Sequence, residues 1–410
     1  MSDGFLEASS LAQPELMKLL QERICMSIDW KKITPYLIGA VGGFALSGAL
    51  VLHQLQRATG DAVEAAKFLY GLGMLRQYFV GELDDNKLYR GALSGLLSAT
   101  GDPYTVFLDE KDFAAMEEMR TGSFGGVGMV FGMKNDGFVV ISVLEDNPAA
   151  EAGVKSGEKI IAVDGKPTKG MHMDEVAYAI RGDVGTQVAI TFADKNNKER
   201  VVKITRGLIK SPSVVAKSLD GTNKKIGYVR IGQFNDNTGS DFRDEIHRLA
   251  KEGMKGLILD LRYNPGGLLD QAVYVCQELV PKGDIVSTIS KTGKKTVAQS
   301  YLEKPRWPLV VLVNEGSASA SEIVAGAVKD TKAGVLMGTK TFGKGSVQAV
   351  YPLGDENTAM KVTVAKYYTP SGVCINEVGI EPDIKVELPE DAKKDVQLEA
   401  AKKYLLEQIK

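Results

Sequence analysis

The chain has 410 residues, 44% hydrophobic and 25% charged, a balance ordinary for globular protein and enough length for two or three domains. A net charge of −2 gives no support for nucleic-acid binding. Three widely spaced cysteines, Cys25, Cys276 and Cys374, form no CxxC pair and no metal spacing, which argues against a disulfide framework and reads them as packing residues.

Residues 33–52, "ITPYLIGAVGGFALSGALVL", carry no charge over 20 positions, the length a bilayer-spanning helix needs. Trp30 and Tyr36 stand near its start. Lys18, Arg23, Lys31 and Lys32 precede it, and Arg57 and Lys67 follow. That bias places residues 1–32 in the cytoplasm, a single-pass anchor at residues 33–54, and the bulk of the chain outside. Residues 55–120 read as a helical region. "AVEAAKFLYGLGMLRQYFV" and "NKLYRGALSGLLSATG" have helical apolar spacing, and "GDPYTVFLDEKDFAAMEEM" breaks at its Gly and Pro before another helix after Asp109.

Residues 121–208 change to short strands, one helix and regular turns, the size of a small domain. "GGVGMVF" resembles the start of a dinucleotide fingerprint, but Phe131 occupies the third glycine position and an extended stretch follows where a helix should begin. A Gly-rich loop feeding a strand suits another use. Its free N–H groups form a nest for a carboxylate, and the strand edge pairs with an extended peptide. That predicts a module binding protein C-termini.

Residues 209–390 alternate buried strands with amphipathic helices, an α/β pattern. After the apolar run at 308–313 comes "NEGSASASEIVAGAVKD". Ser319 with Glu322 fits a capping box. The same crowd of small residues also suits a nucleophilic serine at a strand-to-helix junction. "GTKTFGKGSVQ" nearly matches a P-loop, but Gly345 replaces the magnesium-binding hydroxyl and "SVQAVYPL" alternates like a strand. A lysine held between two glycines can instead serve as a general base once burial lowers its pKa from about 10.4, with Phe342 a plausible wall. Alone, such a lysine is more commonly a solvated turn residue. The three histidines, His53, His172 and His247, read as surface or satisfied side chains. Residues 391–410 carry Val396, Leu398, Ala401, Tyr404 and Leu405 at helical spacing, a stripe that something must cover.

Taken together, "DPYTVFL", "NPAAEAGVKSGEKIIAVDG", "AIRGDVGT", "IGYVRIGQF", "LILDLRYNPGGLL", "VLVNEGSASASEIVAGAVKD", "GTKTFGKGSVQ", "YYTPSG" and "GIEPDI" resemble the carboxyl-terminal processing proteases, tail-specific serine proteases with a PDZ domain. The resemblance runs through almost the whole chain beyond the anchor. It implies an α/β, crotonase/Clp-like protease core at 209–390, an inserted, mostly β PDZ domain at 121–208, a helical N-terminal segment, one transmembrane helix and a C-terminal helix at 391–410.

In the resemblance Ser319 is the nucleophile, Lys344 the base, and Gln348 orients the lysine. Ser317 and Ser321 are then structural, most readily bonding local backbone. An oxyanion hole would use the N–H groups of Ala320 and of Gly266, with Gly267 close behind. Gly126, Val127, Gly128, Met129, Val130 and Phe131 form the carboxylate-binding loop, and Arg181 senses bound peptide. The substrates are proteins and peptides held by their C-termini. No metal or cofactor is required. The family's terminal helices imply a homodimer, and the topology implies a membrane protein with its catalytic part on the extracytoplasmic side. Two other readings stand beside this one: a catalytically inactive, membrane-tethered PDZ scaffold or chaperone, and a crotonase-like acyl-CoA enzyme. Cys374 occupies a position where the family often has a polar or basic residue, and nothing in the sequence accounts for it.

Overall fold

The computed structural model describes residues 34, 47–54, 56, 57, 59–134, 137–219, 225–354, 357–389, 392 and 394–409. The membrane span expected at 33–52 lies for the most part outside these residues. No helix among the described residues is long and apolar enough to cross a membrane. The chain divides into two units, residues 1–89 and 90–410.

In the first unit, α1 (Ala62–Tyr78) starts at Asp61, whose carboxylate accepts the N–H groups of Val63 and Glu64. α1 buries none of its residues and leaves Val63, Phe68, Leu69 and Tyr70 exposed. α2 (Asp85–Ser98) follows.

The second unit begins within α2, at Arg90, and continues with β1 (Val106–Leu108) and α3 (Glu110–Thr121), which is capped by Asp109. The sequence placed residues 106–108 in a helical region, yet they form a strand. Next, β2 (Ser123–Gly126) pairs antiparallel with β9 (Gly207–Lys210), and this ribbon brackets a small β domain. The domain contains β3 (Met129–Lys134), β4 (Gly137–Val143), α4 (Pro148–Glu151), β5 (Lys159–Val163), β6 (Lys166–Pro167), α5 (Met173–Ile180), β7 (Gln187–Ala193) and β8 (Glu199–Thr205). Its sheet runs β3-β4-β5-β7-β8, so β3 is an edge strand. Its core is separate, centred on Phe138, Ile160, Val176, Ile190 and Phe192.

The remaining elements are β10 (Val214–Leu219), β11 (Ile226–Ile231), α6 (Thr238–Lys251), β12 (Gly256–Asp260), α7 (Leu269–Leu279), β13 (Gly283–Ser290), β14 (Lys295–Ser300), β15 (Leu309–Val313), α8 (Ala320–Asp330), β16 (Val335–Gly338), β17 (Ser346–Pro352), β18 (Ala359–Tyr368), β19 (Ile384–Lys385) and α9 (Val396–Gln408). One sheet runs β10-β11-β12-β15-β16-β19, parallel from β11 onward. β12 and β15 are buried at every position, as expected for a parallel sheet covered on both faces. On one face lie Phe242 and Ile246 of α6, Val275 of α7 and Val324 of α8. On the other lie Ala401, Leu405 and Ile409, which pack with Tyr228, Ile258 and Leu312. The C-terminal apolar stripe therefore covers the chain's own sheet. A second sheet, β1-β18-β13-β14 with β17 on β18, brings β1 against residues 359–361.

α9 is locked by a buried guanidinium. Arg262 donates to both carboxylate oxygens of Asp260 (2.9 and 2.6 Å) and of Asp395 (2.8 and 2.7 Å), and to Gln397 (2.9 Å). The fully buried Asp260 also accepts from Tyr228, whose hydroxyl is pushed up to about 12 by burial and by that carboxylate. Removing the Arg262 guanidinium leaves the buried Asp260 carboxylate without its cation, with only the Tyr228 hydroxyl and the residue-262 N–H on it. Arg262→Met is expected to lower the unfolding free energy by about 3–5 kcal/mol in urea titration, and adding Asp260→Asn should recover part of it. A loss below about 1 kcal/mol would show that the triad does not hold the helix.

Candidate active site

The serine stretch leaves β15 through a turn pinned to the loop after β12. Ser317 Oγ donates to Leu261 O (2.8 Å) and accepts from Asn314 N–H (3.0 Å). Ser321 Oγ donates to Asn264 O (2.9 Å), and Ala318 N–H donates to the same carbonyl (3.0 Å). Both serines are fully buried, and each reaches across to the neighbouring loop. That leaves Ser319 as the serine with its hydroxyl on the cavity wall.

Ser319 has φ 53° and ψ −112°, a conformation that side chains rarely adopt. Backbone of this kind costs about 1–3 kcal/mol and concentrates at functional sites. A serine on a sharp strand-to-helix turn is the geometry that presents a nucleophile. Gly266 lies directly behind it: a Cβ there would stand 2.8 Å from Ser319 Cβ and 2.9 Å from Ala320 N. Half of the expected capping box forms. Ser319 N–H donates to Glu322 Oε2 (2.8 Å), while Glu322 N–H donates to the Ser319 carbonyl rather than to its hydroxyl.

Glu322 does far more than cap. Its carboxylate, wholly buried, also accepts Thr341 Oγ1–H (2.6 Å), Gly343 N–H (2.7 Å) and Lys344 N–H (2.9 Å). One carboxylate thus holds the backbones of Ser319 and Lys344 together. Burial raises its pKa, and those four hydrogen bonds pull against the rise. Tyr367 makes a second tie, its hydroxyl lying 3.0 Å from the Ser319 carbonyl and 2.6 Å from that of Lys344. The sequence signalled only the Ser-x-x-Glu cap, so both ties were missed.

The glycines beside Lys344 are demanded by the segment that packs on them. Gly343 has φ +95° and a Cβ there would stand 2.9 Å from Gly379 N, while one on Gly345 would stand 2.5 Å from Asn376 N. Lys344 is half-buried and its pKa is lowered, first by burial and then by repulsion from Lys361; Asp102 and Glu322 oppose the shift. Its wall is not Phe342, which is exposed, but Tyr104, whose ring centroid is 4.6 Å from Nζ.

Ser319, Lys344, Gln348, Gly266 and Gly267 share a cavity of about 390 Å³ with an apolar wall that includes Met116, Leu269, Ile323 and Val347. Gln348 lines the same cavity as the lysine, but its amide nitrogen donates to Ser346 Oγ (2.9 Å) and Thr363 Oγ1 (3.2 Å). The expected Gly266 donor is engaged elsewhere, because its N–H donates to Asn264 Oδ1 (2.9 Å). Among the described residues the N–H groups of Ala320 and Gly267 have no acceptor. None of the three histidines lines the cavity, and His247 lies exposed beside Arg306 and Glu278.

A second groove, of about 310 Å³, is lined by Gly126, Val127, Gly128, Met129, Val130, Phe131 and Arg181. The carbonyls of Val127 and Gly128 accept from Ala149 and Leu144, and among the described residues their own N–H groups have no acceptor. Gly128 has φ +75°, and a Cβ there would strike Asn147 at 2.3 Å. The Arg181 guanidinium lies 4.1 Å from the Phe124 ring centroid and 3.7 Å from Glu118 of α3, so it ties the rim of the groove to the neighbouring helix.

Comparison with known proteins adds to this geometry. The Peptidase family S41 description matches residues 225–386, a PDZ domain description residues 139–194, and one for the CtpB N-terminal domain residues 46–112. A Carboxy-terminal-processing protease of Bartonella bacilliformis is 39% identical over 363 residues, covering 85% of this chain and 82% of the relative. The chain belongs to the carboxy-terminal processing protease family. Carboxy-terminal processing protease CtpA of Bacillus subtilis is 35% identical, covering 88% and 77%. A solved structure from Bacteroides fragilis shares the fold at 17% identity and TM-score 0.51, covering 77% of this chain and 90% of that one. The chain is a C-terminal processing serine protease with a PDZ domain, on a mixed α/β fold.

Proposed function

We propose that this processing protease is a membrane-anchored, extracytoplasmic endopeptidase working through a Ser319–Lys344 pair. The observation that carries the reading is the strained Ser319 sharing one cavity with a half-buried lysine whose charge is disfavoured. Neutral Lys344 takes the Ser319 proton as Oγ attacks the scissile carbonyl. The oxyanion is received by the free N–H groups of Ala320 and Gly267. The lysine returns the proton to the leaving amine, and water releases the acyl group. Gln348 completes the constellation from the next strand.

The PDZ groove holds the substrate's terminal carboxylate at the N–H groups of Val127 and Gly128, with the peptide pairing along the free edge of β3. Arg181, held by Phe124 and Glu118, couples occupancy to α3. The chargeless stretch at 33–52 supports anchoring, and the uncovered apolar side chains of α1 support a homodimer.

Full-length chain in detergent, given an unfolded reporter ending in apolar residues, tests capture by the tail. Degradation is expected to run roughly tenfold faster than for the same reporter with an amidated terminus, a difference of about 1.4 kcal/mol in capture. Equal rates would remove the tail from recognition.

A further inference from the structure

The turn at Asp102–Thr105 is used by neither half of the proposed machinery, yet it sits against the lysine. Asp102 fixes the turn by accepting Tyr104 N–H (3.2 Å) and Thr105 Oγ1–H (2.6 Å). Thr105 Oγ1 in turn accepts Thr363 N–H from β18 (3.1 Å), and Thr363 is the residue whose hydroxyl takes the Gln348 amide (3.2 Å). Tyr104 is therefore positioned by the same strand that positions Gln348. Its ring face lies under Lys344 Nζ at 4.6 Å, and no hydrogen bond joins Nζ to Ser319 Oγ among the described residues. An aromatic face attracts an ammonium through its quadrupole and has no comparable hold on a neutral amine.

We propose that Tyr104 is a positioning residue for the general base: its ring seats Lys344 while the side chain is an ammonium and releases it toward Ser319 once the proton has left. The charged groups facing Lys344 divide accordingly. Asp102 on the turn and Glu322 on α8 favour the ammonium, whereas Lys361 on β18 repels it. This inference rests on the Ser319–Lys344 reading, and its test is separable from that reading.

In a Ser319→Ala background, which prevents self-digestion, Lys344 is labelled competitively with acetic anhydride from neutral to alkaline pH. The extent is read on the Lys344 peptide by mass spectrometry. Replacing the ring by an aliphatic side chain in Tyr104→Leu is expected to lower the labelling midpoint by about one pH unit. Tyr104→Phe keeps the midpoint, and Tyr104→Trp, with a stronger face, raises it. Lys329, held by Glu381 and Asp383, should label unchanged in the same digests and reports an intact fold. Should Tyr104→Leu disturb the fold, the Phe and Trp variants decide.

A midpoint that ignores the ring series overturns the proposal, as does a shift in Tyr104→Phe that matches Tyr104→Leu. With Ser319 present, the acid limb of kcat/KM must move in the same order. A labelling shift without that movement removes Lys344 as the base, and the proposal with it.

Discussion

Ser319→Ala is expected to lower kcat for peptide hydrolysis by on the order of 10⁶, and Lys344→Ala by a similar factor, with the double variant no slower than either single one. On the proposed mechanism the two side chains act as a unit. Without Oγ there is no nucleophile, and without the amine the hydroxyl keeps its proton. Their backbones share the Glu322 carboxylate and the Tyr367 hydroxyl, so the fold places them as a pair. Rates measured on full-length chain with matched urea midpoints check this. Independent, multiplying losses would mean that serine and lysine serve separate steps.

Glu322→Ala is expected to cost at least about 2 kcal/mol in urea unfolding. It strands four donors, the N–H groups of Ser319, Gly343 and Lys344 and the Thr341 hydroxyl, at roughly 1–3 kcal/mol each for the buried ones. Glu322→Gln keeps the shape but turns an NH₂ toward backbone N–H groups. It should therefore lose more activity than stability, with kcat/KM down by about 10²-fold as the serine and lysine loops drift apart. A Glu322→Ala chain within about 1 kcal/mol of the parent would show that the carboxylate is not the tie.

Much of this architecture could be read locally. The runs "GLIL" and "LVVLV" are apolar at every position because both faces of the sheet are covered, and they proved to lie in β12 and β15. The serine and lysine stretches carry enough small residues and glycines to be noticed singly, and the cavity brings Ser319, Lys344 and Gln348 together. What escaped depends on long-range pairing. β1 has only three residues, and its partners are at 359–361, so no local period announces it or the Tyr104 that precedes it. Glu322 looked like a cap because its other partners lie at 341–344. The choice of Gly266 over Gly267 did not reckon with Asn264, whose side-chain oxygen accepts the Gly266 N–H. The stripe on α9 looked unpartnered because the sheet that covers it is assembled from six strands spread over residues 214–385.

The most direct test of a Ser319 nucleophile served by a neutral Lys344 is phosphonylation of full-length chain by a fluorophosphonate, followed by mass mapping across pH. The account predicts one adduct, on Ser319. Its rate should rise with pH as Lys344 loses its proton, because the ammonium cannot accept one, with a midpoint below the ordinary lysine value of about 10.4. In Lys344→Ala the adduct should be lost. An adduct on Ser317 or Ser321, or an unchanged rate in Lys344→Ala, would contradict it.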